Sequence, residues 1–292
     1  MELRTLRYFV ALAEELHFGR AAARLHMTQP PLSRAIKALE AELGCVLLER
    51  SPSGVALTPA GAVLHAEART LLAQADRARD RVVATAGTPT FTLGTLADSV
   101  ERLGARLVAA YRRHHPTARV SIREGDLSDP TIGLRAGLVD VALTRTPFDD
   151  NGISTRVLRT DPIGVLLRTD DPLADKEELS PDDLAGRSCF RFPDGTDPVW
   201  RDFWTGLPTG GRAPDGPVVR TVHECVQSVL WNGTVGVTLL THPLPEGLTA
   251  VPLRDAPSSR LVIAWAGANP APLIRSFVGI ATELCRAGRV RE

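Results

Sequence analysis

The first 27 residues carry apolar side chains at helical spacing in two segments. The stripe of the first segment consists of Leu3, Leu6, Val10, Ala13 and Leu16. Steps of three or four residues predict a helix that buries this stripe. A short second helix is predicted over residues 20–25, where three consecutive alanines allow close approach by another helix and Gly19 serves as the N-cap.

A third helix is predicted to begin after Thr28, behind a tight turn at residues 26–27. Thr28 is a favourable N-cap residue. Pro30 and Pro31 follow in the first turn, where the backbone N–H groups have no intrahelical acceptor and proline is therefore tolerated. The start of this helix is thus marked by three consecutive signals.

This third segment has one apolar and one polar face. Its apolar residues, expected to face the core, are Leu32, Ile36, Leu39 and Leu43. Gln29, Ser33 and Lys37 share another face, and Arg34 lies beside them. In the major groove Gln can pair with adenine and Arg with guanine, Ser can contact a base or phosphate, and Lys neutralises phosphate. Such a face alone is more often solvated surface, so the DNA interpretation depends on its surroundings.

The residues after Gly44 predict a β-hairpin. Residues 46–50 and 55–57 are two short strand-like segments, and Ser-Pro-Ser-Gly at 51–54 supplies turn residues between them. The order of helix, helix, tight turn, helix and hairpin predicts a winged helix-turn-helix, which places its third helix in the major groove of DNA.

Several short runs recur in a fixed order between residues 6 and 61. They are Leu6-Arg7-Tyr8-Phe9-Val10, Arg20-Ala21-Ala22, Thr28-Gln29-Pro30-Pro31-Leu32-Ser33-Arg34-Ala35-Ile36, Leu39-Glu40, Leu43-Gly44, Leu47-Leu48-Glu49-Arg50, Gly54-Val55 and Leu57-Thr58-Pro59-Ala60-Gly61. In order and spacing these runs closely resemble the LysR family of bacterial transcription regulators. Two positions depart from that pattern: Gly19, where a capping Thr or Ser is frequent, and Leu48, where an aromatic residue is common.

The resemblance implies which positions contact DNA. They are Thr28, Gln29, Pro30, Pro31, Ser33, Arg34 and Lys37, with Arg50 in the wing near phosphate. The two prolines would supply shape and apolar contact. Because residues 1–88 carry only a small excess of basic over acidic side chains, one copy should bind weakly and with strong salt dependence. Several copies are therefore expected to bind double-stranded DNA together, at an interrupted palindrome.

Thr58 and Pro59 predict the start of a long helix that Gly87-Thr88-Pro89 end. The DNA-binding domain is accordingly assigned to residues 1–58 and a linker helix to residues 59–88. The apolar seam of this helix consists of Leu64, Leu71, Leu72, Ala75, Ala78 and Val82. Packing of the seam against its own domain remains an alternative, but pairing with a second copy is favoured. The resemblance likewise implies a homodimer or homotetramer.

From residue 91 onwards, short strand-like segments alternate with helical ones. Strands are predicted at 91–96, 119–123, 139–144, 163–168, 188–192, 235–239 and 261–265, and helices at 100–113, 130–137, near Trp200, at 224–231 and at 272–286. This alternation predicts right-handed βαβ units with a parallel sheet, so the fold class is α/β. Residues 89–292 are expected to form two α/β subdomains, roughly 89–161 plus 267–292, and 162–266.

Three runs in this part resemble the effector domain of the LysR family, itself similar to periplasmic solute-binding proteins. They are Gly137-Leu138-Val139-Asp140-Val141-Ala142-Leu143, Asp171-Pro172-Leu173-Ala174 and Gly233-Thr234-Val235-Gly236-Val237-Thr238-Leu239-Leu240. In such folds a ligand binds at the carboxyl ends of strands. The loops expected there supply the candidate effector residues Asp98, Ser99, Gly125, Asp126, Arg145 and Thr196.

The first of these loops both matches and departs from the family. The family pattern has a hydroxyl residue there, which Ser99 matches, whereas Asp98 departs from it. An acidic residue at that place disfavours an anionic effector unless Arg145 compensates. Each loop residue taken singly could equally be only a helix cap.

Composition and motifs restrict the other function classes. The formal net charge is zero and 43% of residues are hydrophobic, as in ordinary globular proteins. With Glu14-Glu15 near the start and no long apolar run, the protein is expected to be cytoplasmic, without membrane contact. Scattered cysteines and the pair His114-His115 before Pro116 predict no metal site, and no bound cofactor is expected besides the effector.

Three readings of function follow. A regulator that binds DNA and a small-molecule effector is favoured, with RNA polymerase as a further partner. An enzyme is disfavoured, because no GxSxG, phosphate-binding or dinucleotide-binding spacing occurs. A solute-binding protein without DNA function and a thiol-based redox regulator using Cys189 and Cys225 remain as alternatives.

Overall fold

A computed structural model describes residues 1–51, 54–85, 89–96, 104–206 and 215–289. The chain divides into two compact units, Met1–Gly87 and Thr88–Glu292. None of the helices in the described segments is both long and apolar enough to cross a membrane.

The first unit is a winged helix-turn-helix followed by a long helix. Its elements are α1 (Leu3–Glu15), α2 (Phe18–Arg24), α3 (Gln29–Leu43), β1 (Leu48–Ser51), β2 (Gly54–Leu57) and α4 (Pro59–Thr85). The strands β1 and β2 pair in antiparallel orientation. This order of elements confirms the predicted fold of the N-terminal part.

The buried face of α1 differs from the predicted stripe. Phe9 and Leu12 are fully buried, whereas Leu3 and Leu16 at the ends of the stripe are exposed. Leu16 lies beyond the helix with φ 48°, and its N–H closes the last turn on the carbonyl of Leu12. The core of the unit therefore gathers around Phe9 and Leu12, together with residues of α2 and α3.

Two local predictions for α2 and α3 are wrong. Helix α2 begins at Phe18, because the side chain of His17 caps it by accepting the N–H of Arg20 at 3.2 Å. Gly19 therefore lies inside the helix and is not its N-cap. At the end of α3, Leu43 is 41% exposed, since the chain turns away at Gly44 with φ 68°.

Helix α4 begins at Pro59, as predicted, and is fixed at its start by Thr58. The Thr58 hydroxyl accepts the N–H of Gly61 at 3.0 Å and donates to the carbonyl of Val46 at 2.8 Å. An ion pair of 2.8 Å between Arg7 and Asp76 joins α4 to α1. Of the predicted apolar seam, Leu64, Leu72 and Ala75 are half-buried, whereas Leu71, Ala78 and Val82 are exposed. The first unit thus covers its long helix only in part.

The second unit consists of two sheets with helices packed on them. Its elements are β3 (Thr90–Thr95), α5 (Gly104–His114), β4 (Arg119–Glu124), β5 (Val141–Thr146), β6 (Ile153–Asp161), β7 (Ile163–Arg168), a 3-10 turn (Pro181–Leu184), α6 (Pro198–Thr205), α7 (Val222–Asn232), β8 (Gly236–Leu239), β9 (Leu248–Pro252), β10 (Ser259–Ala266) and α8 (Pro272–Arg289). The strand orders are β4-β3-β5-β10-β6 and β8-β7-β9. We call these two parts the larger and the smaller lobe.

The sheets are less parallel than the alternation predicts. Strand β3 pairs in parallel with β4 and β5, but β10 runs antiparallel to both β5 and β6, and the smaller sheet is antiparallel throughout. Because β10 lies inside the larger sheet, residues 259–266 belong to the larger lobe. The predicted boundary at 266–267 is therefore wrong, and the return from the smaller lobe precedes Ser259.

Residues 130–137 were predicted as a helix and form consecutive turns. The carboxylate of Asp129 accepts the backbone N–H groups of Thr131 at 2.8 Å and Gly133 at 2.6 Å. Ile132 and Gly133 both have positive φ, 55° and 82°, which a right-handed helix cannot contain. Residues 188–192 also form no full strand, since only Cys189 and Arg191 make isolated bridges. Strands β6 and β9 were not predicted.

Candidate functional site

The predicted DNA face of α3 lies on the surface of the first unit. Gln29, Arg34 and Lys37 are exposed, and Ser33 is half-buried beside them. On the opposite side, Leu32, Ile36 and Leu39 are at most 1% exposed. The core thus fixes the rotation of the helix about its axis, and the polar residues are presented together to solvent.

The first turn of α3 carries the other predicted contacts. Thr28 and Pro30 are exposed and Pro31 is half-buried. Thr28 occupies the N-cap position with extended backbone, but its side chain makes no capping hydrogen bond. Its hydroxyl is therefore not engaged by the helix that it precedes. The side chain of Arg50 lies outside the described residues.

Glu40 connects α3 to the wing. Its carboxylate accepts the backbone N–H groups of Leu47 at 2.9 Å and Leu48 at 3.3 Å. Both leucines are buried in the same core as α3. The start of β1 is therefore held at a set position relative to the polar face of α3.

In the second unit, a cavity lies between the two lobes. Residues of both lobes line it: Leu96, Leu127, Arg145, Leu166, Phe190, Phe192, Trp200, Trp204, Val222, Cys225, Val226, Val237, Thr238, Leu239 and His242. Most of these side chains are aliphatic or aromatic. Among the described residues, no Asp or Glu lines the cavity. An enclosed apolar site with a few polar groups is typical of small-molecule binding.

Two hydrogen-bonded contacts join the lobes beside this cavity. The N–H of Leu127 donates to the carbonyl of Arg220 at 2.7 Å. The N–H of Asp149 donates to the carboxylate of Asp197 at 2.8 Å, and the same carboxylate caps α6 by accepting the N–H groups of Val199 and Trp200. The position of α6 is therefore tied to the larger lobe.

Of the predicted effector residues, the structure places Arg145 on the cavity. Asp98 and Ser99 lie outside the described residues. Asp126 accepts the N–H of Ser128 at 2.8 Å in a local turn. The buried hydroxyl of Thr196 donates to the carbonyl of Pro193 at 2.7 Å. Neither Asp126 nor Thr196 is among the residues that line the cavity.

Gly125, the remaining predicted effector residue, follows β4 at a point of close packing. Its N–H donates to the carbonyl of Thr95 at 2.9 Å. A Cβ atom at this position would lie 2.6 Å from the Cγ2 atom of Ile132. Gly125 is therefore explained by packing inside the larger lobe, and it does not line the cavity.

Arg145 is buried and bound to an acidic residue. Its guanidinium donates to the carboxylate of Asp161 at 2.8 Å, and both side chains are at most 3% exposed. Asp161 also contacts Arg159 at 2.8 Å. Asp161 is the last residue of β6, directly before the crossing into the smaller lobe. Arg145 thus links the cavity wall to that crossing.

The cavity contains aromatic and polar residues that sequence reasoning did not select. Trp200 and Trp204 lie one helical turn apart on α6, with ring centroids 5.3 Å apart. His242 and Thr238 follow from the end of β8. The sequence offers a weak signal, since two tryptophans four residues apart are unusual in a chain with four in total.

The two cysteines of the redox alternative are poor thiolates. Burial raises the pKa of Cys189 to about 12, and Asp215 adds to the shift. Burial likewise raises the pKa of Cys225 to about 12, with a smaller contribution from Glu224. Because the thiolate is the reactive form, neither thiol has the depressed pKa of a reactive cysteine.

The predicted surface histidine pair takes part in packing. The ring of His114 contacts the carbonyl of Ala110 at 3.0 Å, and His115 contacts the hydroxyl of Ser276 at 2.7 Å. His115 also stacks on Tyr111. Within the described segments, no three His, Cys, Asp or Glu side chains are grouped as metal ligands.

Comparison with known proteins gives the same assignment for both units. Residues 3–62 match the family model of bacterial regulatory helix-turn-helix proteins of the LysR family, and residues 85–286 match the LysR substrate binding domain. The transcriptional regulator AlsR of Bacillus subtilis is 30% identical, over all of this chain and 98% of its own length. The hca operon transcriptional activator HcaR of Escherichia coli is 30% identical over 97% of this chain and 98% of its own.

A solved structure has the same overall fold. CbnR, a LysR family transcriptional regulator, matches with a TM-score of 0.63 and 25% identity, covering 97% of this chain and 99% of its own. Full-length CbnR in complex with its target DNA matches with a TM-score of 0.60 and 26% identity, over the same shares of the two chains. On the evidence of both family matches and of relatives aligned over their whole length, this chain belongs to the LysR family of DNA-binding transcription regulators.

Proposed function

We propose that this regulator reads DNA with the exposed polar face of α3 and responds to a small molecule bound between the two lobes. The observation that carries the proposal is the orientation of α3. Leu32, Ile36 and Leu39 are buried, so Gln29 and Arg34 are held outward on a helix of fixed rotation. A side chain that does not have to be ordered on binding costs less entropy when it contacts a base.

The roles of the polar residues differ by chemistry. Gln29, Ser33 and Arg34 contact base edges, where bidentate hydrogen bonds discriminate one base from another. Thr28, Pro30 and Pro31 contact the backbone and the groove wall at the N-terminus of α3. Lys37 and Arg50 contact phosphate, which increases affinity for any sequence.

A pair of copies presents two such helices. The partly exposed apolar seam of α4 supports pairing with a second copy, into a homodimer or homotetramer. Two-fold symmetry of the protein corresponds to an interrupted palindrome in the DNA, with half-sites spaced by helical turns. We place this regulator in the cytoplasm, at promoters, where RNA polymerase is the remaining partner. Its relatives act as transcriptional regulators, and we propose no enzymatic step.

The effector acts through the second unit. Asp98, Ser99, Gly125, Asp126 and Thr196 remain proposed at the rim of the site, and Arg145 at its wall. Binding between the lobes changes their relative arrangement and so alters DNA affinity or bending, without reaction of the ligand. The contacts of Leu127 with Arg220 and of Asp149 with Asp197 join the lobes and are the ones that such a change would affect.

A salt titration of variants tests the DNA proposal. The target is a duplex that the full-length protein selects from a random pool, and a scrambled duplex is the reference. Gln29→Ala and Arg34→Ala should weaken binding to the selected duplex by about 1–3 kcal/mol and relax its sequence preference. Lys37→Ala should weaken binding to both duplexes and lower the salt slope by about one unit.

Arg69→Ala is the matched control, because Arg69 is an exposed arginine on α4 outside the proposed face. It should leave the sequence preference unchanged. If Gln29→Ala and Arg34→Ala both kept the preference of the unmodified protein, the assignment of this face would be wrong, even if DNA binding survived.

A further inference from the structure

Two tryptophans on α6 place hydrogen-bond donors at the cavity without an acceptor. Trp200 is 1% exposed, and Trp204 is half-buried beside it. Both side chains line the cavity between the lobes. The Nε1 atoms of both are buried and have no hydrogen-bond acceptor among the described residues.

Such donors are costly to leave unsatisfied. A buried N–H without an acceptor loses about 1–3 kcal/mol relative to one that is hydrogen-bonded. Buried side-chain donors in native proteins have a partner in the large majority of cases. Two of them on one helix face, four residues apart, therefore indicate that the cavity receives a molecule with acceptor atoms.

The position of this helix face is fixed before any ligand arrives. Asp197 caps α6 through the N–H groups of Val199 and Trp200 and also accepts the N–H of Asp149 from the larger lobe. Trp200 packs in the apolar cluster that runs through both lobes, and Trp204 packs against it. A preorganised donor binds an acceptor without the cost of ordering its side chain.

The rest of the lining restricts the ligand further. Phe190, Phe192 and Leu166 supply apolar surface. The polar groups at the wall include Arg145, which is bound to Asp161, and the half-buried His242. With no carboxylate lining the cavity in the described part of the chain, a cationic ligand would find no counter-ion there.

We propose that the effector is a small ring compound that carries oxygen acceptors and no cationic group, and that Trp200 and Trp204 bind these oxygens through their indole N–H groups. This inference rests on the proposed function, whose effector site it specifies. The apolar ring lies against the phenylalanines, and the oxygen atoms face α6. A carboxylate and a ketone share the required chemistry, and the experiment distinguishes them.

The test uses four probes of one ring size with the full-length protein: benzoate, acetophenone, benzylamine and toluene. Isothermal titration calorimetry measures the affinity of each. Benzoate and acetophenone should bind at least about tenfold more tightly than benzylamine and toluene, since a hydrogen bond to a charged acceptor is worth more than one to a neutral acceptor and toluene has neither.

Trp204→Phe is the main variant, because it removes the N–H and keeps an aromatic ring at a half-buried position. It should weaken acetophenone by about threefold to tenfold and benzoate by more than about tenfold. Trp200→Phe should act in the same direction. Urea unfolding of each variant shows whether the fold is retained, and Trp204→Phe carries the test if Trp200→Phe unfolds.

The chain offers two matched controls. Trp265 in the larger lobe also has a buried Nε1 atom without an acceptor among the described residues, but it does not line the cavity. Trp231 is 77% exposed, and its N–H donates to Gln227 at 2.8 Å. Trp265→Phe and Trp231→Phe should leave the affinity of all four probes unchanged.

Three results would overturn the inference. The first is that neither oxygen-bearing probe binds up to about 10 mM, the second that benzylamine binds as tightly as benzoate, and the third that Trp204→Phe behaves like the two controls. Binding of each preparation to random duplex DNA at low salt is measured in parallel. Retained DNA binding with any of these results leaves the proposed DNA function standing, whereas loss of DNA binding by the unmodified protein contradicts that function by itself.

Discussion

Replacement of Gly61 by Ala opposes helix propensity to steric fit. Gly61 lies in the first turn of α4, next to the strand that leads into the wing. A Cβ atom there would be 2.0 Å from the carbonyl oxygen of Leu47 and 3.1 Å from a methyl group of Leu57. The same carbonyl accepts the N–H of Thr58 at 3.0 Å, so the clash falls on the hydrogen-bonded junction between wing and helix.

The two effects differ in size. In an unhindered helix interior, Gly→Ala stabilises by about 1 kcal/mol. Forcing an additional carbon into a packed site costs about 1–3 kcal/mol, and disturbing the Thr58 cap costs a further 0.5–2 kcal/mol, about as much as loss of an N-cap. We therefore expect Gly61→Ala to lower the free energy of unfolding by about 1–4 kcal/mol, against the direction that helix propensity alone predicts.

Gly279 in α8 is the matched control. It is a helical glycine in the second unit, and a Cβ atom there would meet nothing within 4 Å. Gly279→Ala should stabilise by about 1 kcal/mol. All four tryptophans lie in the second unit, so their fluorescence follows that unit, while circular dichroism follows the helices of both.

The assay is urea unfolding of the full chain with both signals. Gly61→Ala should lower the midpoint of the circular dichroism transition that fluorescence does not report, and Gly279→Ala should raise the fluorescence midpoint. DNA affinity should fall with Gly61→Ala, because the wing is displaced relative to α3. A Gly61→Ala protein as stable as the Gly279→Ala protein would refute the argument from the Leu47 contact.

Two further predictions concern the thiols and the linker helix. Because burial raises the pKa of Cys189 and Cys225 to about 12, both should react slowly with iodoacetamide at about pH 8, while the exposed Cys45 reacts first, and rapid labelling of Cys225 would support the redox alternative. Light scattering should show no 31.4 kDa monomer for the unmodified protein. A Val82→Glu substitution in the seam of α4 should shift the mass towards the monomer, whereas Val63→Glu, exposed but outside the seam, should not, and equal masses for both would contradict pairing through the seam.

The sequence predicts the first unit well because its signals are local. Thr58 and Pro59 mark the start of α4, and residues 32, 36 and 39 define the buried face of α3 from spacing alone. Local signals fail where a side chain competes with the backbone. His17 moves the start of α2 by capping it, and Asp129 converts residues 130–137 from a predicted helix into turns by accepting backbone N–H groups.

In the second unit the errors come from distant pairings. Strand β10 looks in the sequence like one more strand of the smaller lobe, because the preceding segments belong there. It pairs with β5 and β6 instead, more than 90 residues earlier in the chain. Arg145 was expected to offer its charge to a ligand, but Asp161, brought near by the same sheet, already binds its guanidinium. No pattern within one segment contains this information.

The two proposed sites differ in the same way. The polar face of α3 is set by the helical repeat and by three buried residues of one segment, so it can be inferred without knowing the fold. The cavity combines residues from several segments, among them Leu96, Leu127, Trp204 and His242. A substitution on α6 can therefore change the chemistry of the cavity while leaving every residue of the DNA face in place. Effector preference should consequently change through substitutions in the second unit alone, with the sequence preference for DNA retained.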